Sequence, residues 1–265
     1  MSWSVERMRN AESCEALIRD ANAFVARAYT RENVVARRSY VFEYGEPEGF
    51  AFAVHCPGSP ETRHLPGFEP DELPPSLAKL TLEVVDRLSI GRGRVFFNVG
   101  RYPERCGGLT PHYDGERFDD RFDPEVGDEV RRGIRPRQVA VLTLRDETRV
   151  GGTCLHDSDG RVEQPPMGPG ELLRFDNCHL MHSAPDPVAR ERAPRRPDPP
   201  RWIRYILGWR AFEDDCFDWR EGEPLRPLQF EEAIALHERF LDEDWPKQVD
   251  EDLSRATFPF PERYC

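Results

Sequence analysis

Lysine is nearly absent from this chain. Lys79 and Lys247 are the only two in 265 residues, and arginine carries the remaining positive charge. Basic residues are also outnumbered, 37 Lys and Arg against 49 Asp and Glu, for a formal net charge of −12. That balance argues against a nucleic-acid surface spread over the whole protein. Local basic stretches do occur, RRGIRPR (131–137) and the Arg/Pro-rich VARERAPRRPDPPR (188–201). Proline and charge suppress packing in the second, which reads as a solvated loop. No apolar run approaches the ~18 residues of a membrane-spanning helix, and MSWSVERMRN lacks a basic-then-apolar leader pattern. The expectation is a soluble, cytoplasmic protein with no membrane or nucleic-acid partner. The seven cysteines (14, 56, 106, 154, 178, 216, 265) form no CxxC or other zinc-type spacing. Their odd number and scatter suit reduced thiols better than a disulfide framework.

What is present suffices for one sizeable core, at 38% hydrophobic residues. Residues 5–29 show helical spacing through Leu17, Ala21, Phe24, Val25 and Ala28. Two strand-like runs follow, SYVFEY (39–44) and GFAFAVHC (49–56), and then an amphipathic helix, LPPSLAKLTLEVVDRLSI (73–90). From residue 94 the pattern becomes β. Short runs at 94–102, 137–146, 152–157, 170–176, 178–183 and 201–212 are separated by Gly, Pro and Asp. PLQFEEAIALHERFLDED (227–244) reads as a last surface helix. The expectation is one domain over 1–265: a helical and β support (1–93), a β core (94–212), and a C-terminal helix with a polar tail (213–265). Many short strands in one block suggest a sandwich, barrel or jelly roll.

LTPHYDGERFD (109–119) reads as strand-like and sets His112 and Asp114 two apart, on one face of an extended backbone. His-x-Asp alone is uninformative at this chain's histidine and aspartate content. A third ligand is available in DNCHLMHSAPDP, from either His179 or His182. Two histidines and a carboxylate on one side of a metal are the ligand set of non-haem Fe(II) oxygenases, with the opposite positions open.

The text around these residues is ordered in a telling way: FFNVGRYPERCGGLTPHYD (96–114), then VGGTCLHDSDGRVEQPPMGPGELLRFDNCHLMHSAPDP (150–187), then RWIRYILGW (201–209). Over roughly 94–212 this resembles the Fe(II)- and 2-oxoglutarate-dependent dioxygenases of the prolyl-hydroxylase-like and alkylation-repair-like kind. The resemblance implies a mainly β chain with flanking helices around a double-stranded β-helix, a cupin-like jelly roll. It implies Fe(II), 2-oxoglutarate and O2 as cofactor and cosubstrates, with His112, Asp114 and His182 as metal ligands. The 2-oxoglutarate would lie against Arg204, Tyr102 and Asn98; Arg201 is the alternative anchor for its far carboxylate, and Arg210 shares the parity of Arg204. A carboxylate at 114 leaves no room for a halide ligand, so hydroxylation is the implied outcome over chlorination, with desaturation or ring closure open because both begin with the same hydrogen abstraction. The implied reaction hydroxylates an unactivated C–H bond and releases succinate and CO2.

Compact length favours a small-molecule substrate, such as an amino acid or specialised-metabolism intermediate. Glu116, Arg117, His156 and Arg101 are candidate contacts for it. The competing readings are a protein or peptide hydroxylase and a non-catalytic metal-binding jelly roll. A zinc hydrolase fits less well, since no separate general base accompanies the triad.

Overall fold

The computed structural model describes residues 3–37, 40–43, 50–57, 67–88, 94–103, 109–117, 121–122, 129–130, 132–146, 152–184, 203–212, 216–220, 222–229, 231, 232 and 235. Its helices are α1 (Ala11–Ala28), α2 (Arg31–Arg37) and α3 (Pro75–Leu88). The first strands are β1 (Trp3–Arg7), β2 (Tyr40–Glu43), β3 (Phe50–Pro57), β4 (Arg94–Pro103), β5 (Leu109–His112) and β6 (Glu116–Arg117). Next come β7 (Arg121–Phe122), β8 (Glu129–Val130), β9 (Arg132–Arg135), β10 (Gln138–Asp146), β11 (Cys154–His156) and β12 (Val162–Glu163). The series ends with β13 (Glu171–Asp176), β14 (Met181–Ala184), β15 (Ile203–Phe212), β16 (Phe217–Arg220) and β17 (Arg226–Pro227).

Eight of these strands pair as nested antiparallel partners. β4 pairs with β15, β5 with β14, β10 with β13, and β11 with β12. That is one long hairpin rolled over on itself, with its strands distributed between two sheets. The orders β13-β10-β15-β4 and β12-β11-β14-β5 result. This is the double-stranded β-helix, or jelly roll. β1 extends the larger sheet beside β13, and β3 and β2 extend it beyond β4. A further small sheet, β17-β16-β9-β6, begins two residues after Asp114.

Strand periodicity divides the larger sheet into a covered face and an open one. Phe97, Val99, Leu142, Tyr205, Leu207 and Trp209 face the helices and are almost fully buried. Against them lie Leu17, Ala21, Phe24 and Val25 of α1 and Leu77, Leu80 and Val84 of α3, in one cluster. Each such side chain removed from water contributes roughly 1.5–3 kcal/mol. The polar atoms carried into this layer are paired. Trp209 Nε1 donates to Thr81 Oγ1 at 3.1 Å, and Tyr205 Oη donates to Asn22 Oδ1 at 2.8 Å. The other face carries Asn98, Val139, Val141, Arg204, Ile206, Gly208 and Arg210, all of which line a cavity between the sheets.

Three expectations change. The helix predicted from residue 5 begins at Ala11, and Trp3–Arg7 is an edge strand on β13. Asn10 separates the two: its Oδ1 accepts the Ser13 N–H at 2.8 Å, a helix N-cap. The run 178–183 is a strand only from Met181, because Asp176 caps a turn over the preceding residues. The segment at 109–119 is not continuous strand either, since β5 stops at His112. Of the helix expected at 227–244, the described residues include helical positions at 231, 232 and 235, and the rest lies outside them.

Candidate metal centre and cosubstrate pocket

His112 ends β5 and His182 lies directly opposite it on β14 as its cross-strand partner. Their rings are 4.2 Å apart between centroids. Asp114 follows in the irregular stretch after β5. Its Oδ1 lies 3.8 Å from His112 Nε2, and its Oδ2 lies 3.9 Å from His182 Nε2. One donor atom from each of the three residues falls within 4.8 Å of the other two. Asp114 and His182 are deep, and His112 forms the more open edge.

Protonation suits a metal. His112 Nδ1 stands 2.7 Å from the Thr110 carbonyl, which can only accept, so the proton belongs on Nδ1 and the Nε2 lone pair faces Asp114. Burial pushes the His182 pKa down to about 4 against the opposing pull of Asp114, which keeps the imidazole neutral. Its Nδ1 is buried and has no hydrogen-bond partner among the described residues. Burial would raise the Asp114 carboxyl, but Arg210, His182 and His112 together outweigh it and hold the group below its ordinary range. A neutral His182 imidazole, an ionised Asp114 and a His112 oriented by Thr110 fit an Fe(II) of the facial-triad kind.

His179, the alternative third ligand, is excluded by the turn. Its side chain is 78% exposed and its Nδ1 pairs with Asp176 Oδ2 at 3.0 Å.

The cavity above the triad holds about 390 Å³. At one end lies Arg204, 6% exposed, donating from one terminal nitrogen to Thr153 Oγ1 at 2.8 Å. Its Nε is buried and has no acceptor among the described residues. Burial lowers its pKa, Asp146 and Tyr102 oppose that, and a guanidinium stays charged regardless. Tyr102 is the cross-strand partner of Arg204, and Asn98 is that of Gly208. Both line the cavity. Two glycines make the room: a Cβ at Gly100 would meet the Tyr102 ring, and one at Gly208 would meet Asn98 Oδ1.

Arg210 is the residue whose role sequence reasoning missed. One of its terminal nitrogens lies 2.5 Å from Asp114 Oδ1, and its guanidinium stacks over Phe96 at 5.0 Å. Its shared parity with Arg204 was the available signal. Tyr113, between the two proximal ligands, also lines the cavity and stacks on Arg135, 3.7 Å from its ring centroid. Of the other candidates, His156 is half-buried and engages Ser183 Oγ at 2.6 Å through Nε2. Arg101 is half-buried on β4 and does not line the cavity. The side chains of Glu116 and Arg117, together with Arg201 and the loop at 188–200, lie outside the described residues.

The nested strand order and the inward His-x-Asp…His set decide the architecture. The chain is a double-stranded β-helix that brings His112, Asp114 and His182 within reach of one metal ion. No family model matches the sequence, and no curated protein matches it. Among solved structures it is similar to a putative 2OG-Fe(II) oxygenase family protein from Caulobacter crescentus, at 12% identity and TM-score 0.48 over 89% of each chain. It is also similar to the carbocyclase SnoK from nogalamycin biosynthesis, described as non-heme and alpha-ketoglutarate-dependent (12%, TM-score 0.46, 86% of this chain and 88% of that one). A Pseudomonas putida prolyl-4-hydroxylase follows at 18% identity and TM-score 0.41, over 79% of this chain and 91% of that one. The double-stranded β-helix follows from the chain's own strand pairing. No helix among the described residues is long and apolar enough to cross a membrane.

Proposed function

We propose that this chain is an Fe(II)/2-oxoglutarate-dependent oxygenase that hydroxylates a C–H bond of a small molecule. The observation that carries the reading is the partly buried His112–Asp114–His182 cluster, which lines one cavity with the buried cation of Arg204. His112, Asp114 and His182 would hold the iron. Arg204 would bind the far carboxylate of 2-oxoglutarate, where a guanidinium fork matches the geometry. Tyr102 and Asn98 would line its flanks. Together the bound metal and cosubstrate supply O2 activation by oxidative decarboxylation, giving succinate, CO2 and a hydroxylated product. The protein orients both reactants and excludes water from the cavity.

A volume of about 390 Å³ suits a cosubstrate of this size with a small substrate beside it. The cavity is also lined by Ala51, Ala53, Phe96, Leu109 and Tyr113, small, aliphatic or aromatic surfaces that would pack against an apolar part of the substrate.

The test starts from apo-protein under anaerobic conditions. Added Fe(II) and 2-oxoglutarate should develop the weak visible charge-transfer absorption of a chelated 2-oxo acid, and His182→Ala should lose it. Succinate release is then screened with amino acids and with peptides containing the same residues. Turnover confined to peptides would replace the small-molecule reading with the peptide one. No absorption from folded, metal-loaded protein would overturn the oxygenase reading itself.

A further inference from the structure

The strand that delivers His112 ends at that residue, and among the described residues no strand pairs with the backbone of Asp114. A side chain takes that place. Asn177 Oδ1 accepts the Asp114 N–H at 2.8 Å, and Asn177 Nδ2 donates to the Asp114 carbonyl at 2.7 Å. The carboxamide thus pairs with both backbone groups of one residue, as a partner strand would. Its second N–H reaches the Pro136 carbonyl at 2.8 Å, at the corner between β9 and β10. The backbone N–H of Asn177 donates to the Arg137 carbonyl at 2.6 Å. Asn177 is completely buried.

The placement matters as much as the bonds. Asn177 opens the turn that leads from β13 into β14, the strand of His182. It therefore joins the backbone of the proximal carboxylate to the segment presenting the distal histidine. The ligand loop has little slack on its other side: a Cβ at Gly115 would sit 2.7 Å from the Ile134 carbonyl. The loop is gripped by Asn177 and pressed onto β9.

We propose that Asn177 is a positioning residue for the metal centre. It aims the Asp114 carboxylate between the two imidazoles and so sets metal affinity without touching the metal. The proposal rests on the metal-centre reading above. Without the amide, three buried backbone groups, the Asp114 N–H, the Asp114 carbonyl and the Pro136 carbonyl, lose a partner. The loop would then relax toward other acceptors and carry the carboxylate with it. Groups that orient a metal ligand in this way are worth roughly 10- to 100-fold in metal affinity.

The experiment compares wild type with Asn177→Ala, Asn177→Ser and the near-isosteric Asn177→Asp, which turns a carboxylate toward two carbonyls. Each apo-protein is titrated anaerobically with Co(II), read by its d–d absorption, and thermal unfolding is recorded in parallel. The expected result is a Co(II) dissociation constant raised at least tenfold in folded variants, with band positions altered. Folded variants that bind within twofold of wild type, with unchanged bands, would overturn the proposal. Amide hydrogen exchange on the wild-type protein is an independent arm that requires no variant to fold. The Asp114 amide should be strongly protected in the apo state, and rapid exchange there would equally overturn the clamp. Wild type that binds no Co(II) would instead sink the metal-centre reading.

Discussion

Removing the guanidinium of Arg204 tests the pocket most directly. Arg204→Met keeps an unbranched apolar stem and deletes the buried charge that lines the cavity. Truncating one partner of a buried, hydrogen-bonded charge pair costs about 2–5 kcal/mol. With ~1.4 kcal/mol per tenfold, 2-oxoglutarate binding should weaken by roughly 30-fold to a few thousandfold. The upper part of the range is expected, because Arg204 is 6% exposed and little water can replace the lost cation. Arg204→Lys should fall between, since an ammonium keeps the charge and loses the fork. Thr153 Oγ1 loses its donor in the Met variant, a smaller cost expected in stability and not in binding. The assay is an anaerobic titration of the Fe(II) protein with 2-oxoglutarate, followed by the visible charge-transfer absorption. A parallel titration uses 2-oxopentanoate, which keeps the chelating end and lacks the far carboxylate. Wild type should strongly prefer 2-oxoglutarate, and Arg204→Met should lose most of that preference. A variant that binds 2-oxoglutarate within threefold of wild type, or keeps the full preference, would refute Arg204 as the anchor.

His182→Ala should abolish Co(II) binding whereas His179→Ala leaves it within twofold, because the His179 side chain is 78% exposed on the outer side of its turn; equal losses in the two titrations would refute the ligand set. Burial pushes the Cys56 thiol up to about 12 and raises the Tyr205 hydroxyl as well. The unfolded chain therefore releases these protons first, so stability present below pH ~9 should decline as pH rises toward 12, by up to ~1.4 kcal/mol per pH unit for each group. Urea midpoints measured from pH 7 to 10.5 would show this, and a flat profile would refute it. Asn10→Ala removes the cap of α1 and should cost about 1 kcal/mol, a drop of roughly 2–4 °C in Tm, with metal binding unchanged. A larger loss, or one accompanied by weaker metal binding, would mean that this helix end supports the site.

Much of the fold was legible because its signals are short-range. Alternation located β4, β10, β13 and β15 within a residue or two, and 3.6-residue spacing located α1 and α3. Where local pattern failed, a distant partner had intervened. Trp3–Arg7 can be counted into a helical period, yet it lies as a strand on residues 171–175, a pairing that no window of sequence contains. The turn at 177–180 fails for a different reason. The side chain of Asp176 competes with strand geometry by bonding the backbone ahead of it, and a count of apolar residues does not register that.

The site divides along the same line. Sequence alone determined which groups the chain owns and in what order: His-x-Asp after a glycine turn, a histidine after Phe-Asp, and arginines of one parity on the last strand. These are matters of residue type and local period, and they reach the chemistry of a facial triad. Only the tertiary structure decided which histidine turns inward, that Arg210 meets Asp114, and that Asn177 holds Asp114 from 63 residues away. The physical reason is that the strand ends at His112. Beyond that point the direction of the carboxylate is set by hydrogen bonds reaching it from the other half of the rolled hairpin, and those exist only once the hairpin has closed.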